Sequence, residues 1–234
     1  MKRPRQDLHD AAARLRNEAN AARERMRGEA QAAADRVKEE AHAAVKRVES
    51  EAPRKAIHLA SIVIPIGILY APIVVSRRVL LLVALALLVT DLVKIHQPRL
   101  RTYFTQFFGH LIRRHERAGV TASTYMLVSA LLATYLFDRE VAAAAMVFLI
   151  VGDFCAAMVG KAVGRTPLFG KTLEGFAAGF VASFLVAWLL VPSLGVRDLL
   201  IAAFVGSVVE ILPIPVDDNF RIPLVSGLVL QLLR

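Results

Sequence analysis

Two patterns divide the chain. Residues 7–52 are charged and Ala-rich with an eleven-residue repeat. From Pro53 onward, apolar blocks near membrane-crossing length alternate with short polar loops. In the first part Arg14, Arg25, Arg36 and Arg47 recur at the repeat interval, as do Glu18, Glu29, Glu40 and Glu51. Ala11, Ala22, Ala33 and Ala44 follow the same interval, and so does the series Leu15, Met26, Val37, Val48. Eleven residues are close to three helical turns, so each series stays on one side of a nearly straight or right-handed-supercoiled helix. Ala, Glu and Arg favour helix, and Gly28 is the one weak point. The apolar stripe is narrow and mostly Ala. It suits a solvated stalk, a coiled-coil helix through which copies form a homo-oligomer, or a helix lying on lipid headgroups. His9 and His42 read as solvated.

The second part holds apolar blocks at residues 56–75, broken by Pro65 and Gly67, then at 79–95, 122–137, 141–163, 176–194, 199–212 and 222–233. A basic, amphipathic segment at 97–119 carries Phe104, Phe107, Phe108, Leu111 and Ile112 on one side, which suits the membrane interface. The expected fold is therefore all-α. It is a polytopic membrane bundle of about seven transmembrane helices (residues 54–234), behind a long N-terminal amphipathic helix of 11-residue repeats (residues 1–53).

Composition agrees. Hydrophobic residues make up 56%, too many for a soluble domain. The net charge of +9 is not a nucleic-acid signal, because the basic residues stand beside apolar segments and so read as topology and anionic-lipid contact. Arg54 and Lys55, then Lys94, Arg99, Arg101, Arg113, Arg114 and Arg117, then Lys161, Arg165 and Lys171 occupy alternate loops. The loops between them hold fewer: Arg77 and Arg78, Arg139, Arg197. The positive-inside rule makes the first set cytoplasmic, with the N-terminus inside and, after seven spans, the C-terminus outside. A plasma (inner) membrane protein is expected. The lone Cys155 excludes a disulfide framework, and the charged first fifty residues lack the apolar core of a signal peptide.

Chemistry concentrates in residues 152–175, GDFCAAMVGKAVGRTPLFGKTLEG. An acid at membrane depth is costly, so Asp153 marks a functional site by default. A basic loop at 161–171 follows, and Thr172, Glu174 and Gly175 open the next apolar block. A carboxylate that holds Mg²⁺, with Lys171 and backbone N–H groups for phosphate, is what a metal–nucleotide site needs. Asp217, Asp218 and Asn219 stand between prolines at another membrane edge and suit Mg²⁺ and polyphosphate; an Asx turn is the plain alternative. Glu210, near the end of a span, also needs a polar reason to be there. His58 lies one helix turn after Arg54, as a base, a phosphate contact or a polar plug. Asp91 has Lys94 or a loop arginine as a partner, and Thr121, Ser123, Thr124 and Tyr125 read as helix caps. Gly152, Ala156, Gly160 and Gly164, and Gly175, Gly179, Ser183 and Ala187, are small-residue stripes that predict a close pair of helices.

In order, R-K-x-x-H, G-D-x-x-A-x-x-V-G-x-x-x-G, G-K-T-L-E-G and E-x(6)-D-D-N-x-x-x-P-L-x-x-G resemble the CTP-dependent lipid-alcohol kinases: dolichol kinase, phytol kinase and the CTP-dependent diacylglycerol kinase. The resemblance runs from about Arg54 onward. It implies transfer of the γ-phosphate of CTP to a membrane lipid alcohol of polyprenol, phytol or diacylglycerol type. The implied site comprises Arg54, Lys55, His58, Asp153, Lys171, Thr172, Glu174, Glu210, Asp217, Asp218 and Asn219, with Gly160, Gly164 and Gly175 near the phosphates. Within it, Asp153, Asp217, Asp218 and Glu210 are the metal candidates, Lys171 and Arg54 the phosphate contacts, and a carboxylate such as Asp217 the acceptor of the hydroxyl proton. Asp153 to Gly175 also resembles the phosphatidate cytidylyltransferases, but their later H-G-G-x-x-D-R is replaced here by Asp-Asp-Asn. Synthesis of a CDP-lipid, and a non-enzymatic membrane scaffold or transporter, are the competing readings.

Overall fold

The computed structural model describes residues 4–109, 112 and 115–234. His9, Ala11, Arg14, Leu15, Glu18, Ala22, Arg25, Ala33 and Arg47 have side chains outside that description, and Leu111, Arg113 and Arg114 lie outside it altogether. The described chain is almost wholly helical, with one two-stranded hairpin. It divides into two units, Met1–Lys46 and Arg47–Arg234. The described residues of the first, 4–46, are helical and lie in α1, Pro4–Ala60. Met26 and Val37 of the repeat are more than half exposed on it.

The second unit holds the end of α1, then α2 (Val63–Tyr70), α3 (Ile73–His96), α4 (Pro98–Phe108) and a short 3-10 turn (His115–Ala118). After these come α5 (Ala122–Leu136), α6 (Arg139–Val163), α7 (Leu173–Leu190), α8 (Val196–Ile211) and α9 (Asp218–Leu233). The helix runs on through Pro53, and the break comes at Ser61–Ile62, ahead of Pro65 and Gly67. Among the described residues, four stretches are long and apolar enough to cross a membrane: Glu51–Tyr70, Ile73–His96, Arg139–Val163 and Leu173–Leu190. Ala122–Leu136 is a shorter apolar helix.

Helix α6 is the axis of the bundle. Every residue from Val141 to Gly152 is buried. Outer helices such as α3 instead expose Leu81, Leu82, Leu85 and Val89, the side chains that a hydrocarbon phase would cover. The small-residue stripes bring α6 and α7 together as their spacing predicts. A Cβ built on Gly175 would lie 2.7 Å from the Ala156 carbonyl oxygen, and one on Gly179 would lie 2.9 Å from that of Gly152. The candidate site lies at one end of this close pair.

Candidate functional site

The loop that the sequence leaves irregular between α6 and α7 is a hairpin. Pro167–Leu168 (β1) pairs antiparallel with Lys171–Thr172 (β2). Phe169 and Gly170 turn it with φ of 48° and 82°, both positive, as in the tight turns that suit hairpin twist. Both Glu174 carboxylate oxygens accept from Thr166 N, at 3.1 and 3.3 Å, and Oε1 also accepts from Thr166 Oγ1 at 3.0 Å. Glu174 thus braces the hairpin. Thr172 caps α7, its Oγ1 accepting from Gly175 N at 3.2 Å. Gly164 is needed for closeness: a Cβ there would sit 2.6 Å from Thr172 Cγ2.

A cavity of about 330 Å³ opens over this junction. Arg54 and Lys55 of α1, Asp153 and Gly160 of α6, Lys171 and Thr172 of the hairpin, Gly175 of α7 and Glu210 of α8 line it. The volume falls within the range of small-molecule pockets. At its inner wall Lys55, with 1% of its area exposed, forms an ion pair with the Asp153 carboxylate and donates from Nζ to the Asp153 carbonyl at 3.1 Å. His58 Nε2 lies 3.3 Å from Asp153 Oδ2 and has no hydrogen-bond partner of good geometry. The N-terminus of α7 adds the positive end of its dipole, so this wall favours an anion.

Lys171 reaches across to Glu210 Oε1 at 3.0 Å and Asp218 Oδ2 at 3.2 Å. Beyond that bridge a second cavity, about 260 Å³, is lined by Lys171, Glu210, Asp217, Asp218 and Arg221. Asp153, Lys171 and Asp218 therefore gather at one end of the bundle, with Lys171 and Glu210 shared by the two adjoining cavities. Asp217 caps α9, its Oδ1 accepting from Asn219 N at 2.9 Å and from Asn219 Nδ2 at 2.7 Å. Asn219 lines neither cavity. It is buried and its carbonyl accepts from Ser129 Oγ at 2.7 Å, which ties α9 to α5.

Three participants escape sequence reading. Glu51 reads as the last member of the repeat, yet it lines the first cavity and its carboxylate lies 2.7 Å from Lys161 Nζ and 2.5 Å from Arg54. Lys161 reads as a topology charge and lies on the same wall. Arg221 donates from Nε to Asp218 Oδ1 at 3.0 Å. The signal for Glu51 and Arg221 is spacing: each stands three residues from a charged partner on one helix.

The acidic set meets one limit. Among the described residues, no three His, Cys, Asp or Glu side chains converge as a ready-made metal cage. Glu210 and Asp218 hold a cation between them, but that cation is the Lys171 ammonium. Two hard oxygen donors around a positive centre, with Asp153 on the same cavity as Glu210, remain a donor set compatible with magnesium, which takes one or two carboxylates and fills its shell with phosphate and water.

Apolar helices of membrane length mark a membrane protein, and its charged side chains gather at one end of the bundle. The profile of the cytidylyltransferase family matches residues 37–215, and the chain belongs to that family. An uncharacterized protein of Rickettsia prowazekii is 26% identical over 73% of this chain and 88% of its own length. One of Methanocaldococcus jannaschii is 26% identical over 56% of this chain and 70% of its own. A CTP-dependent diacylglycerol kinase of Eremothecium gossypii is 28% identical over 60% of this chain, and the match spans about half, 53%, of the kinase. No solved structure matches. Family membership and the kinase relative point to an enzyme.

Proposed function

We propose that the chain transfers the γ-phosphate of CTP to the hydroxyl of a membrane lipid alcohol at the cytoplasmic face of the plasma membrane. The observation that carries this reading is the meeting of three sequence-remote motifs around adjoining cavities: Asp153 from α6, Lys171 from the hairpin and Asp218 from α9. The kinase relative supports CTP as donor and a lipid alcohol as acceptor.

The topology that goes with it has seven crossings: the end of α1 with α2, then α3, α5, α6, α7, α8 and α9. Contacts at the two ends of the bundle support that count. Ion pairs join the α1, α6, α8 and α9 termini with the hairpin at the site end. At the other end Arg139 donates to Leu69 O at 3.2 Å, Arg77 stacks over the Tyr135 ring, and Arg234 pairs with Asp138 at 3.3 Å. The positive-inside rule puts the site end in the cytoplasm.

In the reaction, Lys171, Arg54, Lys55 and the α7 N-terminus bind the triphosphate. Lys171 would leave Glu210 and Asp218 for phosphate oxygens, and these two carboxylates, with Asp153, would hold Mg²⁺. Magnesium bound there would neutralise charge on the phosphoryl group in flight, in a transfer that asks mainly for positioning and electrostatics. The lipid hydroxyl oxygen forms the new bond to phosphorus, the bond from phosphorus to the β–γ bridging oxygen breaks, and CDP leaves. Of the two bases the chain offers, Asp217 has Oδ1 committed to the α9 cap, whereas His58 Nε2 has no such commitment. His58 therefore takes the hydroxyl proton, and the imidazolium so formed lies beside Asp153.

Purified protein incubated with magnesium, γ-labelled CTP and a panel of prenol, phytol and diacylglycerol acceptors is expected to place label in the organic extract for at least one alcohol. Label that stays aqueous with every alcohol contradicts the reading. The family's name and the GKTLEG element favour a second reading, transfer of CMP to a lipid phosphate. In that case label carried at the α-position enters the lipid instead.

A further inference from the structure

A third cavity, of about 280 Å³, shares Arg54 with the first. Its walls come from the end of α1 (Ile57, His58), from Leu87 of α3, from Phe104 and Phe108 of α4, and from the start of α5. The lining differs from that of the first cavity, with aliphatic and aromatic side chains beside a polar corner drawn from Arg54, His58, Ser61, Glu116, Thr121 and Ser123.

We propose that this cavity seats the hydroxyl end of the acceptor lipid alcohol, an inference that rests on the kinase reading above. Three observations carry it. First, the cavity abuts the first one through charged groups, not through packed core. Arg54 lines both, and His58, on the third cavity, lies 3.3 Å from Asp153, on the first. A hydroxyl in the polar corner and a phosphate in the first cavity would meet across the Arg54–His58 wall. Secondly, the mouth suits a bilayer. Ile57 and Phe108 on its rim are 54% and 48% exposed, so apolar tails can leave toward the hydrocarbon while the volume takes only the head of the molecule.

Thirdly, the roof is pinned. Asp91 and Lys94, each 1% exposed, form a buried pair at 2.7 Å. Asp91 Oδ2 accepts from Thr121 N at 2.9 Å and from Thr124 Oγ1 at 2.6 Å, which locks α3 to the start of α5. Lys94 Nζ donates to the Glu116 carbonyl at 2.9 Å and lies 4.9 Å from the Phe104 ring centre, which holds α4 over the opening. The members of this network fix the aromatic wall of the third cavity, so the seat is held in place before a ligand arrives.

The test uses the full chain in mixed micelles with two probes. A diacylglycerol bearing a diazirine near its glycerol end, and a prenol bearing one near its hydroxyl, are photolysed on the wild-type protein, and the adducts are mapped by mass spectrometry. The adducts are expected on α4, Leu87 or the start of α5, competed by the matching unlabelled alcohol; whichever probe is so competed identifies the class of alcohol. Adducts spread over α7 and α8, or uncompeted with both probes, overturn the proposal. Ser123→Phe, at an exposed first-turn position, and Leu87→Trp fill the cavity. Each is expected to raise KM for the lipid roughly tenfold or more, the scale on which overpacking a site acts, with labelled-CTP binding at wild-type level. An unchanged lipid KM in both variants overturns it as well. Competed adducts in this cavity from a protein that transfers no γ-phosphate would support the lipid seat while ending the kinase reading, so the two failures are distinguishable.

Discussion

Replacing Asp153 by Asn removes the charge partner of Lys55, a side chain 1% exposed, so the change reaches further than chemistry. Breaking one side of a buried ion pair costs about 3–5 kcal/mol, because the other charge is left uncompensated. The single variant is expected to lose turnover and also to melt earlier. The double change Lys55→Met with Asp153→Asn is expected to regain most of the thermal stability while staying inactive. Recovery of activity in the double variant would show that Asp153 serves only to neutralise Lys55. Lys171 differs, because its partners Glu210 and Asp218 are acids that magnesium can also satisfy. Lys171→Ala is expected to weaken CTP binding by about 1.5–3 kcal/mol, the worth of a hydrogen bond to a charged group, in equilibrium dialysis against labelled CTP. Unchanged CTP affinity would remove Lys171 from the phosphate site.

At the scale of elements, the α6–α7 pair sets the geometry of the site, and glycines decide how close it is. Gly175→Leu would drive a Cβ against the Ala156 carbonyl oxygen and is expected to cost about 1–3 kcal/mol of stability, as overpacking does. Gly67→Ala meets nothing within 4 Å and is expected to be neutral or slightly stabilising. Thermal unfolding of the two variants in detergent tests the contrast, and equal effects would contradict the account of the interface. This pairing was legible in the sequence, because an i, i+4 row of Gly, Ala and Ser has few other uses between apolar helices. The hairpin was not. Two residues per strand are too short for a period, and only the Phe169–Gly170 backbone reveals the turn. The division of the charged residues between adjoining cavities was not legible either. Spacing along one helix gives a shared face, as for Arg54 and His58, but which cavity each faces depends on neighbours far away along the chain. The use of Glu51 as a site residue was hidden for a further reason: it continues the N-terminal repeat without a break.

For the whole molecule, the account needs every polar motif at one end of the bundle and on one side of the membrane. With Cys155 replaced, single cysteines at Gly170 and Gly119 are expected to react with a membrane-impermeant maleimide only in inside-out vesicles. Cysteines at Arg78 and Ser193 are expected to react only in right-side-out ones. Labelling of Gly170 and Ser193 from the same side would refute the seven-crossing topology.

The most direct measurement incubates the wild-type protein, magnesium and the preferred lipid alcohol with CTP labelled at the γ-position in one tube and at the α-position in another, then counts the organic extract. The account predicts lipid label from γ-labelled CTP alone, with CDP left in water. Lipid label from α-labelled CTP would contradict it, because the bond broken would then lie between the α- and β-phosphates.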